Sequence, residues 1–149
     1  MKRSKTYPLH NNKFKSQFEY NIAVDLINRG VDFEYESRVL SYTIPVLHTI
    51  CSKCGHSPAM VTRKYKPDFI LPNGVIVEAK GRFTAAERKK HACLKEQRPD
   101  LDIRLLFMYD NYLTNKKNKS YTSWCDSKEI ISAVGYSIPE DWISYSLSV

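Results

Sequence analysis

The stretch Pro67-Asp68-Phe69-Ile70-Leu71-Pro72-Asn73-Gly74-Val75-Ile76-Val77-Glu78-Ala79-Lys80 constrains this chain more than any other. Phe69 to Leu71 is a short apolar run, Pro72-Asn73-Gly74 carries strong turn chemistry, and Val75 to Ala79 is rich in β-branched residues. That order predicts a β-hairpin. Side chains alternate along a strand, so Ile76, Glu78 and Lys80 share one face and Val75, Val77 and Ala79 take the other. An antiparallel return sets Asp68, at the far end of the first strand, beside Glu78. Two carboxylates converging with a lysine suit phosphodiester hydrolysis: the acids hold a hard divalent cation that acidifies a bound water. The lysine can orient that water or offset charge in the transition state. Glu-x-Lys alone is commonly a solvated charge pair of small energetic weight. With Asp68 placed before the hairpin and the order Asp, Glu, Lys intact, the catalytic reading prevails.

At 149 residues the chain is expected to form one domain with a real hydrophobic core. Its net charge of +7 and pI near 9.2 favour a polyanionic partner, nucleic acid first and an anionic membrane second. No apolar run reaches the length of a transmembrane helix, and the basic N-terminus is not followed by a signal core, so a cytoplasmic location is expected. In that compartment the four cysteines are read as thiols or metal ligands.

Residues 1–15 read as a flexible basic arm, with Lys13 and Lys15 as candidate phosphate contacts. A helix is predicted from Ser16 to Arg29, stopped by Gly30. Phe18, Ile22, Ala23, Leu26 and Ile27 fill one apolar arc of it, and Glu19 falls inside that arc. Glu19 has two readings: it completes a capping box by bonding back to the Ser16 backbone N–H, or it is a catalytic acid. Residues 32–46 read as extended, with Phe33 and Tyr35 inward, Asp32, Glu34 and Glu36 outward, and Pro45 interrupting the second strand. His48-x-x-Cys51-x-x-Cys54-Gly55-His56 has the shape of a zinc knuckle, with His48, Cys51, Cys54 and His56 as candidate ligands. Cys93 or Cys125 could instead complete the set, and the plain alternative is a surface loop with incidental thiols.

After the hairpin, Thr84-x-x-Glu87 reads as a second capping box opening a helix that ends near Gln97, ahead of Pro99. Arg82, Arg88, Lys89 and Lys90 give this region a basic surface suited to phosphate contact. Leu101 to Met108 reads as a strand buried on both faces, which points to an α/β sheet. A polar lysine-rich loop over 110–120 and a helix between Thr122 and Val134 follow. Ile138-Pro139 then folds back with Trp142 and Ile143 as anchors.

With these pieces in order, the Asp68–Lys80 stretch resembles the PD-(D/E)xK signature of restriction-endonuclease-like nucleases. From about Ser16 to Ile143 the chain resembles the phage-type endonuclease I family of Holliday-junction resolvases. The matching pieces include Ser16-x-x-Glu19, Phe33-Glu34-Tyr35-Glu36, Ile44-Pro45, Pro67 to Gly74, Val77 to Gly81, Arg88 to His91, Glu96-Gln97, Leu101 to Arg104, and Ile138-Pro139 with Trp142-Ile143. The resemblance implies a mixed central sheet flanked by helices, in an intertwined, segment-swapped homodimer. It implies a catalytic set of Glu19, Asp68, Glu78 and Lys80. Asp68 and Glu78 would bind Mg2+ or Mn2+ with the Ala79 carbonyl, Glu19 would assist a second cation, and Lys80 would position the water. The implied function is nicking of branched DNA at four-way junctions, in the cytoplasm of a host cell, with Glu19 serving the partner chain's site.

Two departures stand out. The Cys/His segment lies in a connector over 47–64 that is longer than the family's, and the C-terminus lacks a lysine-rich tail. The competing readings are a PD-(D/E)xK nuclease for other DNA structures and a non-catalytic zinc-containing DNA-binding protein.

Overall fold

The structure, a computed structural model, describes residues 7–9, 12–45 and 60–145. Its centre is a five-stranded mixed sheet in the order β3 (Glu34–Tyr35), β6 (Phe69–Ile70), β7 (Ile76–Lys80), β8 (Ile103–Phe107), β9 (Ser132–Val134). The β3–β6 and β6–β7 pairs are antiparallel, whereas β7, β8 and β9 run parallel to one another. Helices α1 (Gln17–Asn28) and α2 (Ala85–Gln97) pack on the sheet, with shorter α3 (Tyr121–Ser127) and α4 (Glu140–Ile143) toward the end of the chain. A two-stranded ribbon of β4 (Leu40–Pro45) and β5 (Met60–Tyr65) stands beside it. The mixed α/β architecture is the one the sequence implies.

The predicted hairpin is present, with Phe69 opposite Val77 and Ile70 opposite Ile76. Gly74 adopts φ +90°, a conformation that L side chains rarely tolerate, which explains the glycine at this turn. The Asn73 side chain accepts from the Val75 N–H at 3.1 Å and donates to the Trp142 carbonyl at 2.8 Å, tying the turn to α4. Beyond the hairpin, β7 sorts its neighbours by alternation. Val75 and Val77 lie in one core with Phe18, Ile22, Ala23 and Leu26 of α1, and Ile138 and Trp142 close that core. Ile76 faces the other way, into a cluster with Tyr42, Tyr65 and Leu94 of α2. Full burial of one such aliphatic side chain contributes roughly 1.5–3 kcal/mol, so this two-sided burial fixes the register of the strand that carries Glu78 and Lys80.

Several expectations need correction. The arm expected over 1–15 contains a hairpin of β1 (Tyr7–Leu9) and β2 (Asn12–Phe14), and Phe14 is fully buried in the α1 core. Pro45 does not interrupt its strand but ends it, in register with Met60. The connector expected over 47–64 ends at Met60, where β5 begins and returns along β4. The helix expected between Thr122 and Val134 stops at Ser127. Glu129 takes φ +58° there, and the branched residues that follow lead into β9, whose Ser132 pairs with Leu105. The zinc candidates His48, Cys51, Cys54 and His56 lie outside the described residues. Cys125 is completely buried beside Trp124 and Phe107, and Cys93 is half-buried against the α2 cluster.

Candidate active site

Four chain segments meet where the hairpin strands end. The start of α1 brings Glu19, the end of β3 brings Glu36, the residue before β6 is Asp68, and β7 delivers Glu78 and Lys80. The hairpin register places Asp68 against Glu78: the Asp68 N–H donates to Glu78 Oε1 at 3.1 Å, and the Ala79 N–H donates to Asp68 Oδ2 at 3.0 Å. Glu78 is 1% exposed and also accepts from the Tyr65 hydroxyl at 2.5 Å. Lys80 Nζ lies 3.5 Å from Glu78 Oε2 and 2.9 Å from Glu87 Oε2.

On the α1 side, Glu19 is buried at 6% exposure despite its charge. The expected capping box is only half made. The Glu19 N–H donates to the Ser16 hydroxyl at 3.1 Å, but the Glu19 carboxylate does not take the Ser16 backbone N–H. It accepts instead from the Ser16 hydroxyl at 2.7 Å and the Tyr35 hydroxyl at 3.1 Å. Carboxylate oxygens of Glu19, Glu36 and Asp68 all lie within 4.8 Å of one another. Lys15, an exposed side chain, reaches Glu36 Oε1 at 2.5 Å.

Sequence reasoning missed Glu36, assigning it to the outward side of an alternating strand. Its φ of +47° breaks that alternation and turns it toward Asp68, whose carbonyl accepts its backbone N–H at 3.0 Å. Nothing in the sequence signals this, because glutamate has no special preference for the left-handed region. Glu87 was missed as a site residue for another reason. The cap motif accounts for it in sequence, and although its N–H does bond Thr84 Oγ1 at 3.3 Å, its carboxylate goes to Lys80.

The sequence model of the family described as phage endonuclease I matches residues 2–148. Endonuclease I of Escherichia phage T7 is 36% identical over 131 residues, covering 87% of this chain and 78% of that protein. This chain belongs to the phage endonuclease I family. Endodeoxyribonuclease 1 of Enterobacteria phage T3 is also 36% identical, over 121 residues that cover 80% of this chain and 70% of its own.

The electrostatics of the endonuclease show what the acid cluster lacks. Burial, then repulsion from Glu78 and Glu19, pushes the Asp68 carboxyl well above the ordinary range. Burial likewise raises Glu19, against the pull of its two hydroxyl partners. Carboxylates crowded in this way favour either a proton or a cation, and the all-oxygen donor set suits a hard divalent ion. Lys80 is the reverse case. Burial works against its charge, but Glu78 and Glu87 outweigh that and hold it as an ammonium.

The basic candidates are dispersed. Lys13, Arg82 and Lys89 are exposed. Arg88 is partly committed to the fold, donating to the Phe83 carbonyl at 2.6 Å, and Lys90 lies 5.1 Å from the Tyr65 ring centre. Among the described residues no helix is long and apolar enough to cross a membrane.

Proposed function

We propose that this endonuclease cuts DNA by metal-dependent phosphodiester hydrolysis and resolves four-way junctions, acting in a host cytoplasm through a single nuclease domain that takes in the β1–β2 hairpin. The observation that carries the reading is the convergence of Glu19, Asp68, Glu78 and Lys80 at one strand end in a member of this family. Asp68 and Glu78, with the Ala79 carbonyl, would hold Mg2+ or Mn2+, and Glu19 would assist a second ion. Such an ion polarises the phosphate and acidifies a bound water. The chain's own part is to orient and to balance charge. Tyr65 fixes Glu78, Ser16 and Tyr35 fix Glu19, and Lys80 presents an ammonium that aligns the attacking water and offsets charge on the phosphate. Lys13, Lys15, Arg82, Arg88, Lys89 and Lys90 are the proposed phosphate contacts, as befits a chain of net charge +7.

The test is cleavage of a labelled immobile four-way junction with Mg2+, beside the matching linear duplex and an EDTA control. Symmetric nicks near the branch point, absent from the duplex, are expected. Equal cutting of both substrates would make it a nuclease for other DNA structures, and tight junction binding without cutting would make it a binding protein.

The dimer belongs to the same proposal. Within one chain Glu19 already meets Asp68. Exchange of the segment around Ile44-Pro45 between two chains preserves that contact while the partner supplies Glu19. Glu19→Ala and Glu78→Ala chains, mixed and refolded, then regain one intact site per heterodimer, about a quarter of wild-type nicking for random pairing. A mixture that forms heterodimers and stays inactive would rule out the exchange.

A further inference from the structure

We propose that Glu87 is the positioning residue for Lys80, holding its ammonium at the cleavage site from the first turn of α2. The inference rests on the reading of Lys80 as the residue that aligns the attacking water. Lys80 ends β7 on a flexible four-carbon stem, and a positioned ammonium needs restraint that the stem does not provide. Two carboxylates provide it: Glu78 Oε2 at 3.5 Å and Glu87 Oε2 at 2.9 Å. They are not equivalent. Glu78 is a candidate metal ligand whose oxygens are wanted elsewhere, so Glu87 is the partner that Lys80 keeps during cleavage.

The surroundings of Glu87 fit that task. It is the third residue of α2, where a glutamate ordinarily bonds back to the N-cap N–H, yet its side chain is turned toward β7. One helical turn later His91 stands behind it, with Nε2 3.9 Å from Glu87 Oε2. His91 is 2% exposed, and its ring is enclosed by the Phe83 ring at 6.2 Å and the Tyr65 ring at 6.3 Å between centres. Glu87 is thus backed by a rigid buried wall on one side and faces Lys80 on the other. The same wall contains Tyr65, whose hydroxyl fixes Glu78. Lys80 and Glu78 are therefore aligned by one packed unit of α2 and β5.

Five variants decide the matter: Glu87→Gln, Glu87→Asp, Thr84→Ala, Lys80→Ala and the double variant Lys80→Ala/Glu87→Gln. Single-turnover cleavage of the junction at saturating enzyme reads the chemistry, fluorescence anisotropy in Ca2+ reads binding, and thermal melting reads the fold. Glu87→Gln is expected to slow cleavage by about a hundredfold, the scale of an ångström-sized misplacement, with junction Kd within about twofold. Glu87→Asp should recover part of that loss. Thr84→Ala removes the N-cap without touching Lys80, so it should lower the melting temperature and leave the cleavage rate unchanged. In the Lys80→Ala background, Glu87→Gln should add nothing. Wild-type cleavage by Glu87→Gln beside an inactive Lys80→Ala would overturn the positioning role and leave the site intact. A further loss in the double variant, or an equal loss in Thr84→Ala, would also overturn it. Wild-type cleavage by Lys80→Ala would instead remove the underlying reading of Lys80.

Discussion

The two halves of the site are built alike and charged differently. Each is anchored by a glutamate at the third position of a helix, Glu19 on α1 and Glu87 on α2, whose N–H is capped while its carboxylate is turned inward. Each contains a glutamate gripped by a buried or half-buried tyrosine hydroxyl, Tyr35 on Glu19 and Tyr65 on Glu78. The α1 half, however, gathers Glu19, Glu36 and Asp68 against two exposed lysines, Lys15 and Lys66, both on Glu36. The α2 half sets Glu78 and Glu87 around a lysine, Lys80, that is only 15% exposed. One half meets its positive charge only at the surface, and the other keeps a lysine inside. The crowded carboxylates around Asp68 are therefore where a divalent cation is wanted, with Glu78 reaching it from the edge of the α2 half.

The largest expected effect breaks the link between the halves. Asp68 touches both, by proximity to Glu19 and Glu36 and by its backbone bond to Glu78. Asp68→Asn keeps the acceptor for the Ala79 N–H but removes a charge, and should cost about a thousandfold or more in cleavage, some 4 kcal/mol of barrier. The same change should raise the melting temperature of the metal-free protein, because it relieves repulsion among buried carboxylates. A variant that cuts normally, or that melts earlier without metal, would contradict the division of the site into a half of crowded carboxylates and a half with a buried lysine.

The second effect is a pH dependence confined to the α1 half. Asp68 and Glu19 titrate higher in the folded state than in the unfolded one. The folded protein therefore holds more protons between the two values, so their contribution to stability is present at low pH and is lost as pH rises through the folded pKa. In a metal-free sample the melting temperature difference between Asp68→Asn and wild type should grow from about pH 4 upward. Mn2+ should close much of that gap by raising the wild type, with each kcal/mol of linkage worth about 2–4 °C in a chain of this size. A difference that stays flat across that range, with no response to Mn2+, would mean that the carboxylates are not electrostatically crowded.

How far the sequence reveals this comparison depends on the kind of signal each half uses. The α2 half lies largely on the hairpin, where alternation and turn chemistry are local. The faces of Ile76, Glu78 and Lys80 and the meeting of Asp68 with Glu78 are legible for that reason. The fold around it is legible in the same terms, because α1 and α2 begin and end at residues whose caps and prolines mark them. Glu36 is illegible because a single left-handed residue reverses a side chain without leaving a compositional mark. The carboxylates of Glu19 and Glu87 are half-legible: the cap motif locates them on the first turn but mispredicts where they point. Tertiary partners, Tyr35 for one and Lys80 for the other, outcompete the cap for the carboxylate. Strand β9 was lost to a predicted helix because short apolar runs carry too little periodicity to separate the two, and its partner β8 decides the outcome.

The smallest effects separate the halves most finely, through the two tyrosines. Tyr65→Phe removes the hydroxyl that grips Glu78 at 2.5 Å and leaves Oε1 with the Asp68 N–H alone. Tyr35→Phe removes a 3.1 Å bond from Glu19, which keeps the Ser16 hydroxyl at 2.7 Å on its other oxygen. Phenylalanine fills both positions without steric cost, so the comparison isolates the hydroxyls. A hydrogen bond to a charged group is worth about 1.5–3 kcal/mol, so losing Tyr65 should slow single-turnover cleavage by about tenfold to a hundredfold. Tyr35→Phe should cost about twofold to threefold, because an unshared carboxylate oxygen near a cation regains a ligand where a phenol was lost. The ranking is the test. If Tyr35→Phe proved the more damaging, rigid positioning would matter most in the α1 half, and the α2 half would have the looser tolerance.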